Sequence, residues 1–132
     1  MTLQTIRLEL ARNHDYPDGS VDHGYEFMAP IDANGHIDVQ TWRGDRKNCR
    51  VWRFWAGEAD EFGHLIRTRK GDWAFHYDVE GDPDDDEPGY RFDTHLFKEG
   101  EYVSITEHDG RLMTFKVVSV RPACAPIRVP GE

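Results

Sequence analysis

The chain has 132 residues, a length typical of a single domain. Its formal net charge of −9 argues against nucleic acid and anionic membranes as main partners, because both are bound through clustered Lys and Arg. Seven Phe, five Tyr and four Trp residues accompany a mean hydropathy of −0.74, so we expect a folded domain with a very polar surface.

The charge is unevenly distributed along the chain. Residues 43–70 carry eight Lys/Arg and four Asp/Glu, a local net charge of +4, which indicates a basic patch on an acidic protein. The two cysteines, Cys49 and Cys124, have no partner at metal-binding spacing. No secretory signal and no run of about 18 apolar residues is found, so the sequence predicts a cytoplasmic protein with free thiols and no membrane span.

Hydrophobic alternation predicts strands in the first half of the chain. The segments TIRLELAR and VDHGYEFM both alternate apolar and polar residues, as half-buried strands do, and Pro30 ends the second. Asp38 is placed to cap a short helix that carries Val39 and Trp42 on one face. The segment CRVWRFWA has aromatic residues on both faces, which indicates a strand covered on both sides or one that offers an aromatic face to a partner.

The next predicted element is a hairpin that joins HLIRTRK to WAFHYDV. A two-residue loop, Gly71-Asp72, suits a type II′ turn. This loop would place Arg67 opposite His76, and it would put Ile66 on the core face with the aromatic residues of WAFHYDV. The stretch 78–87 follows with seven acidic residues, whose mutual repulsion predicts a solvated loop.

A second hairpin is predicted within EYVSITEHDGRLMTFKVVSV. A three-residue loop, residues 108–110, gives one apolar and one polar face, whereas a two-residue loop mixes them. The favoured register pairs Val103 with Phe115 and Ile105 with Met113. Taken together, the segments predict a mostly β fold: a single antiparallel barrel or sandwich of about seven or eight short strands with one short helix. We place this domain at residues 1–121 and a Pro-containing tail at residues 122–132.

The stretch DANGHID resembles part of a calcium-binding loop. Aligned on Gly35, however, it puts Pro30 and Thr41 at two positions where an EF-hand needs carboxylate ligands. The interpretation is therefore a tight turn at Asn34-Gly35. Cation binding stays open for the acidic stretch 82–87 and for the His- and Asp-rich residues 14–23, but we predict no bound metal and no cofactor.

No sequence motif identifies a catalytic residue, although Cys49 stands next to Arg50. The most suggestive pattern is a cationic and aromatic face on the predicted central sheet. Arginine and aromatic side chains side by side hold planar or anionic ligands, and they also dominate contacts between proteins. The candidate ligand-binding residues are Arg50, Trp52, Arg53, Trp55, Arg67, Arg69 and His76.

The segments HGYEFMAPIDANGHIDVQTW and GEYVSITEHDG resemble those of a family of small uncharacterised bacterial proteins. The resemblance covers most of residues 1–122 and implies no particular activity. The C-terminal half, in which a glycine precedes a strand, a glycine turn and a second strand, is also similar to SH3-like small barrels.

Three classes of function follow from these observations. The leading hypothesis is a small cytoplasmic binding or interaction module that takes an unidentified protein or a small anionic or planar ligand on the Arg/Trp/His face. One alternative is an enzyme with a His/Asp site, either metal-dependent or metal-free, which requires a pocket where histidines meet a carboxylate. The other is weak binding of single-stranded RNA through stacked tryptophans, which the net charge disfavours.

Overall fold

A computed structural model describes residues 3–69, 71–77, 90–92, 96–107 and 110–123, with the backbone alone for 90–92. Within these residues the chain forms eight strands: β1 (Leu3–Leu10), β2 (Ser20–Pro30), β3 (Arg50–Trp55), β4 (Glu61–Arg67), β5 (Trp73–Tyr77), β6 (Tyr90–Phe92), β7 (Tyr102–Thr106) and β8 (Leu112–Pro122). A short helix, α1 (Val39–Gly44), and a 3₁₀ turn (Arg46–Asn48) lie between β2 and β3.

The strands form one antiparallel barrel. Each strand pairs with the next along the chain, and β8 pairs with β1, so the sheet closes on itself. The predicted fold class, a mostly β antiparallel barrel or sandwich of about seven or eight strands with one short helix, is confirmed, and the structure takes the barrel form. Closure pairs every strand on both sides, which removes the exposed edges that an open sheet would present.

Aromatic side chains fill the barrel interior. Tyr25 and Phe27 of β2 point inward and pack against Phe75 of β5, with ring centroids 5.3 and 5.2 Å apart. Phe115 of β8, which is separated from β2 only by β1, meets Tyr25 at 5.2 Å. These residues occupy alternate positions of their strands and are fully buried, as the hydrophobic alternation predicted. An eight-stranded barrel is just wide enough for such side chains to fill.

Helix α1 closes one end of the barrel. Its Trp42 is buried, donates an indole N–H to the carbonyl of Leu65 at 3.0 Å, and packs edge-to-face on Trp73 at 5.1 Å. The helix begins after Asp38, as predicted, but the Asp38 carboxylate accepts the hydroxyl of Thr41 at 2.7 Å and caps no backbone N–H. Helix α1 therefore lies over the end of the barrel at which β2 finishes and β3 begins.

Three connections share one hydrogen-bonding pattern. Asp32 pairs with His36, Thr68 with Asp72, and Glu107 with Arg111; the first residue of each pair donates its N–H to the carbonyl of the second at 2.8 Å. The residue before the second partner is a glycine with φ between 83° and 91° in all three loops: Gly35, Gly71 and Gly110. This is the three-residue hairpin loop in which glycine takes the left-handed position.

For DANGHID, the turn interpretation is confirmed. The Asp32 carboxylate accepts the backbone N–H groups of Asn34 and His36 at 2.8 and 3.0 Å. The hydrogen bond from His36 is the main reason why the pKa of Asp32 is lowered. The carboxylate therefore serves the turn.

The register predicted for the central hairpin is wrong. Arg67 lies opposite Trp73, and His76 lies opposite His64. The loop has three residues, not two. Thr68 and Asp72 form the pair that closes it, and Gly71, which directly precedes Asp72, takes the left-handed position. As a result Leu65, not Ile66, faces the interior beside Phe75. All five residues of β5 are buried, so its hydrophobic pattern does not favour one register over another.

The C-terminal hairpin has the predicted register. Val103 pairs with Phe115 and Ile105 with Met113, and their apolar side chains face the interior. Strand β8 continues to Pro122, which pairs with Gln4 of β1. The acidic stretch 82–87, Cys124 and the rest of the predicted tail lie outside the described residues.

Candidate functional site

The end of the barrel opposite α1 opens into a cavity of about 410 Å³, which we call the barrel mouth. The β1–β2, β3–β4 and β7–β8 connections all reach this end, because the connections of an up-and-down barrel alternate between its two ends. A cavity of this volume is within the range of small-ligand sites. Its lining residues are Asp15, Tyr16, Arg53, Trp55, Glu58, Glu107, Arg111 and Met113.

A buried ion pair forms the floor of the mouth. The guanidinium of Arg53 contacts the carboxylate of Glu107 at 2.9 Å, with side chains 5% and 6% exposed respectively. The other terminal nitrogen of Arg53 contacts Glu58 at 3.1 Å and Glu61 at 3.6 Å. Burial alone would lower the pKa of Arg53, but the hydrogen bond that Arg53 donates to Glu107 and the neighbouring Tyr25 outweigh it and raise the pKa. Arg53 is thus a permanently charged group.

Two buried tyrosines complete the floor beneath the ion pair. Tyr25 donates its hydroxyl to the second oxygen of Glu107. Burial is the first cause that raises the pKa of Tyr25 well above its usual value, and the charge of Glu107 adds to it. The pKa of Tyr77 is raised in the same way, by burial and then by Tyr25 and Glu61. Both phenols therefore stay protonated at neutral pH, and that of Tyr25 acts as a hydrogen-bond donor to Glu107.

An aromatic wall stands on one side of the mouth. Trp55 lies under the Arg53 guanidinium, whose Cζ is 4.4 Å from the indole centroid. The rings of His23 and Trp55 are perpendicular with centroids 4.7 Å apart, and Tyr16 packs on His23 at 4.8 Å. Stacked rings of this kind offer a flat apolar surface next to the charges.

Hydrogen bonds hold this wall in position. Asn13 accepts the backbone N–H of Tyr16 at 2.8 Å, which fixes the β1–β2 connection. The two ring nitrogens of His23 lie 2.6 Å from the hydroxyl of Ser20 and 3.2 Å from that of Tyr16. Burial is the main cause that lowers the pKa of His23, and Arg53 contributes in the same direction. His23 is therefore a neutral, fixed support.

The structure divides the seven predicted ligand-binding residues among three regions. Arg53 and Trp55 lie in the mouth. Arg50, Trp52 and His76 lie on the outer face of the barrel, where Arg50 and His76 flank His64 on neighbouring strands. Arg67 and Arg69 are exposed near the closed end, where Arg67 stacks on Trp73 at 4.9 Å. The sheet therefore has no single face that carries all seven.

Two consequences of this placement correct the sequence-based interpretation. Arg67 does not face His76, since the hairpin register differs. Arg53 was expected on an outer cationic face but is buried inside, because it shares the inward direction of Val51 and Trp55. The role of these residues in binding a ligand stays a prediction.

Sequence reasoning missed the residues that surround Arg53. Glu107 continues the inward series of Val103 and Ile105, so a charge at an inward strand position was a signal available in the sequence. Tyr16 lies in a loop, where alternation says nothing about direction.

A second, wider depression of about 720 Å³ lies outside the barrel, along β1, β8 and the β1–β2 connection. Three of its charged lining residues, Arg12, Asp18 and Lys116, are exposed, and the fourth, Glu9, is half-buried. Exposed charges gain little from a ligand in water, whereas the mouth has a buried charge pair that lines its cavity. We therefore take the mouth as the candidate site.

Three further findings concern the described part of the chain. No group of three or more His, Cys, Asp or Glu side chains is placed there to hold a metal ion. Cys49 is buried as a free thiol, and burial, followed by the charge of Asp45, raises its pKa to about 12. No helix in these residues is long and apolar enough to cross a membrane.

Comparison with known proteins gives no relative for this chain: no protein-family model, no curated protein and no solved structure matches it. The fold and the mouth define an eight-stranded antiparallel barrel that is filled by aromatic side chains and has a polar cavity at its open end.

Proposed function

We propose that this chain is a binding module that takes a small, partly planar ligand into the barrel mouth. The observation that carries the proposal is the buried Arg53–Glu107 pair at the floor of an open cavity. Removing each of two charges from water costs roughly several kcal/mol of desolvation. A protein in which two apolar side chains of similar volume replace such an ion pair is often equally stable. Charges buried beside a cavity are characteristic of functional sites.

The wall and the floor offer complementary contacts to such a ligand. Trp55 and Tyr16 supply flat apolar surface, while Glu107 and Glu58 supply hydrogen-bond acceptors. Within the described part of the chain, both ring nitrogens of His23 contact hydroxyl groups, so His23 supports the wall and lacks the carboxylate that orients the histidine of a catalytic triad. This arrangement favours binding over the alternative of a His/Asp enzyme.

A cytoplasmic location is part of the proposal. It is supported by the free, buried thiol of Cys49, since thiols persist in reducing compartments. Binding of a protein by the outer face of Arg50, Trp52 and His76 stays a second prediction of the sequence, and the following experiment separates it from binding in the mouth.

The four indole N–H groups of the protein report on different regions. Trp55 lies in the mouth, Trp52 on the outer face, and Trp42 and Trp73 at the closed end. The ¹⁵N-labelled protein would be titrated with a panel of small flat compounds that includes neutral, anionic and cationic members. We expect binders to shift the Trp55 indole signal and to leave the Trp42 and Trp73 signals in place.

A matched pair of variants tests the location. Met113 and Leu112 are neighbours on β8; Met113 lines the mouth, whereas Leu112 points outward and is 69% exposed. Met113→Lys should abolish the shifts of Trp55, while Leu112→Lys should preserve them. If the compounds shift only the indole signal of Trp52, or shift no indole signal at all, the proposal is wrong.

A further inference from the structure

Negative groups outnumber positive groups at the barrel mouth. Among the described residues, the lining holds three carboxylates and two guanidinium groups, and a fourth carboxylate, that of Glu61, reaches Arg53 at 3.6 Å. The net charge of −9 on the whole chain acts in the same direction. Clefts lined mainly by one sign of charge concentrate ligands of the opposite sign.

Both guanidinium groups of the mouth already face carboxylates. Arg53 contacts Glu107, Glu58 and Glu61 through its two terminal nitrogens. Arg111 lies 3.5 Å from Asp15, with both side chains well exposed. An incoming anion would have to displace these carboxylates and would meet their repulsion, so the anionic ligand that the sequence indicated fits this cavity poorly.

Arg53 shows how the mouth surrounds a flat cation. Its guanidinium is contacted by carboxylates along its edge and stacks over the Trp55 ring at 4.4 Å. Carboxylates at the edge and an aromatic face below are the two contacts that stabilise planar cations in proteins. The carboxylates nearer to solvent, Glu58 and Asp15, extend this environment toward the opening.

We propose, building on the binding function proposed above, that the ligand of the barrel mouth is an organic cation: an amine, amidinium or guanidinium group on a flat apolar body. The cationic group is bound by Glu58 and Asp15, and the flat body lies on the aromatic wall of Trp55 and Tyr16.

Three compounds of nearly equal shape test the sign of the charge. Benzamidine is cationic at neutral pH, benzamide is neutral and benzoate is anionic. We expect benzamidine to shift the Trp55 indole signal with an affinity about tenfold or more above that of benzamide, a difference of about 1.4 kcal/mol, and benzoate to bind more weakly than either. Raising the salt concentration should weaken benzamidine binding, because the charges near the opening are screened.

A carboxylate variant and its control add a second test. The Glu58 side chain is 57% exposed, so Glu58→Gln should leave the fold intact and weaken benzamidine binding by about twofold to fivefold, with benzamide unaffected. Glu99→Gln, at an exposed position at the closed end, should change neither.

The outcomes separate this inference from the function on which it rests. Equal affinities of benzamidine and benzamide at Trp55, or tighter binding of benzoate, would overturn the inference that the ligand is a cation. The proposal that a ligand binds in the mouth would remain supported. Failure of every compound in the wider panel to shift Trp55 would overturn both.

Discussion

The guanidinium of Arg53 lies 2.9 Å from the carboxylate of Glu107, 54 residues further along the chain, and both side chains are buried. The two residues belong to opposite walls of the barrel, β3 and the end of β7, and meet across its open end. A contact of such long range forms only when the sheet closes. It therefore links the integrity of the barrel to the shape of its mouth.

Replacing Glu107 should destabilise the protein strongly. Glu107→Gln leaves the Arg53 charge buried without its closest partner, and losing one member of a buried pair typically costs about 3–5 kcal/mol. We expect about 3 kcal/mol, the lower end of that range, because Glu61 and Glu58 remain near Arg53. Urea denaturation, followed by tryptophan fluorescence, measures the free energy of unfolding.

The control for this prediction is Glu58→Gln. Its side chain is 57% exposed, so its ion pair with Arg53 is screened by water and should contribute less than about 1 kcal/mol. Equal losses in the two variants, or no loss in Glu107→Gln, would contradict the prediction that burial decides the energy of the pair.

Acidification should destabilise the protein through His23. Folding lowers the pKa of His23 below its ordinary value of 6.5, mainly by burial, so below this pH the unfolded chain binds a proton more readily than the folded one. The contribution of His23 to stability is thus complete above pH 6.5 and is lost as the pH falls through the lowered pKa of the folded state.

The measurement is the free energy of unfolding from about pH 8 to about pH 5, compared between the wild type and His23→Gln. The wild type should lose stability more steeply on acidification than the variant. Parallel curves would show that His23 binds its proton equally well in both states.

The thiol of Cys49 should be inert in the folded protein. Its pKa of about 12 keeps it protonated at neutral pH, and only the thiolate reacts rapidly with alkylating reagents. In a Cys124→Ser variant, iodoacetamide should leave Cys49 unmodified until urea unfolds the chain, as followed by mass spectrometry. Labelling of Cys49 as fast in buffer as in urea would disprove the burial.

The left-handed glycine of the β7–β8 loop should resist substitution. Gly110 has φ of +83° and open space where a Cβ would be, so Gly110→Ala isolates the backbone effect, which we expect to destabilise by about 1–2 kcal/mol. Gly110→Asn should cost less, because Asn enters this conformation more readily.

Gly44, in the last position of α1, provides the matched control. It also has open space for a Cβ, but its φ is not positive. Gly44→Ala should therefore be neutral or stabilise by about 0.4–1 kcal/mol, since it reduces the freedom of the unfolded chain. Thermal unfolding of Gly110→Ala, Gly110→Asn and Gly44→Ala measures the change in stability. A loss of stability in Gly44→Ala as large as that in Gly110→Ala would contradict both predictions.

The sequence by itself determined the strands and one complete register. Period-two alternation located β1 and β2, and in the C-terminal hairpin a single choice of loop separates apolar from polar residues, which pairs Val103 with Phe115. The turn at Gly35 also followed from local chemistry, because few residues besides glycine adopt a positive φ readily. All of these properties depend on neighbours within a few residues.

The tertiary structure decided the register of the central hairpin and the position of the candidate site. Strand β5 is buried on both faces, so its pattern of apolar residues fits several registers equally well. The alternation of β3 gives Arg53 the direction of Val51 and Trp55, yet a buried arginine is stable only with a compensating charge. That charge is Glu107, which the closure of the barrel, and no local pattern, brings to Arg53.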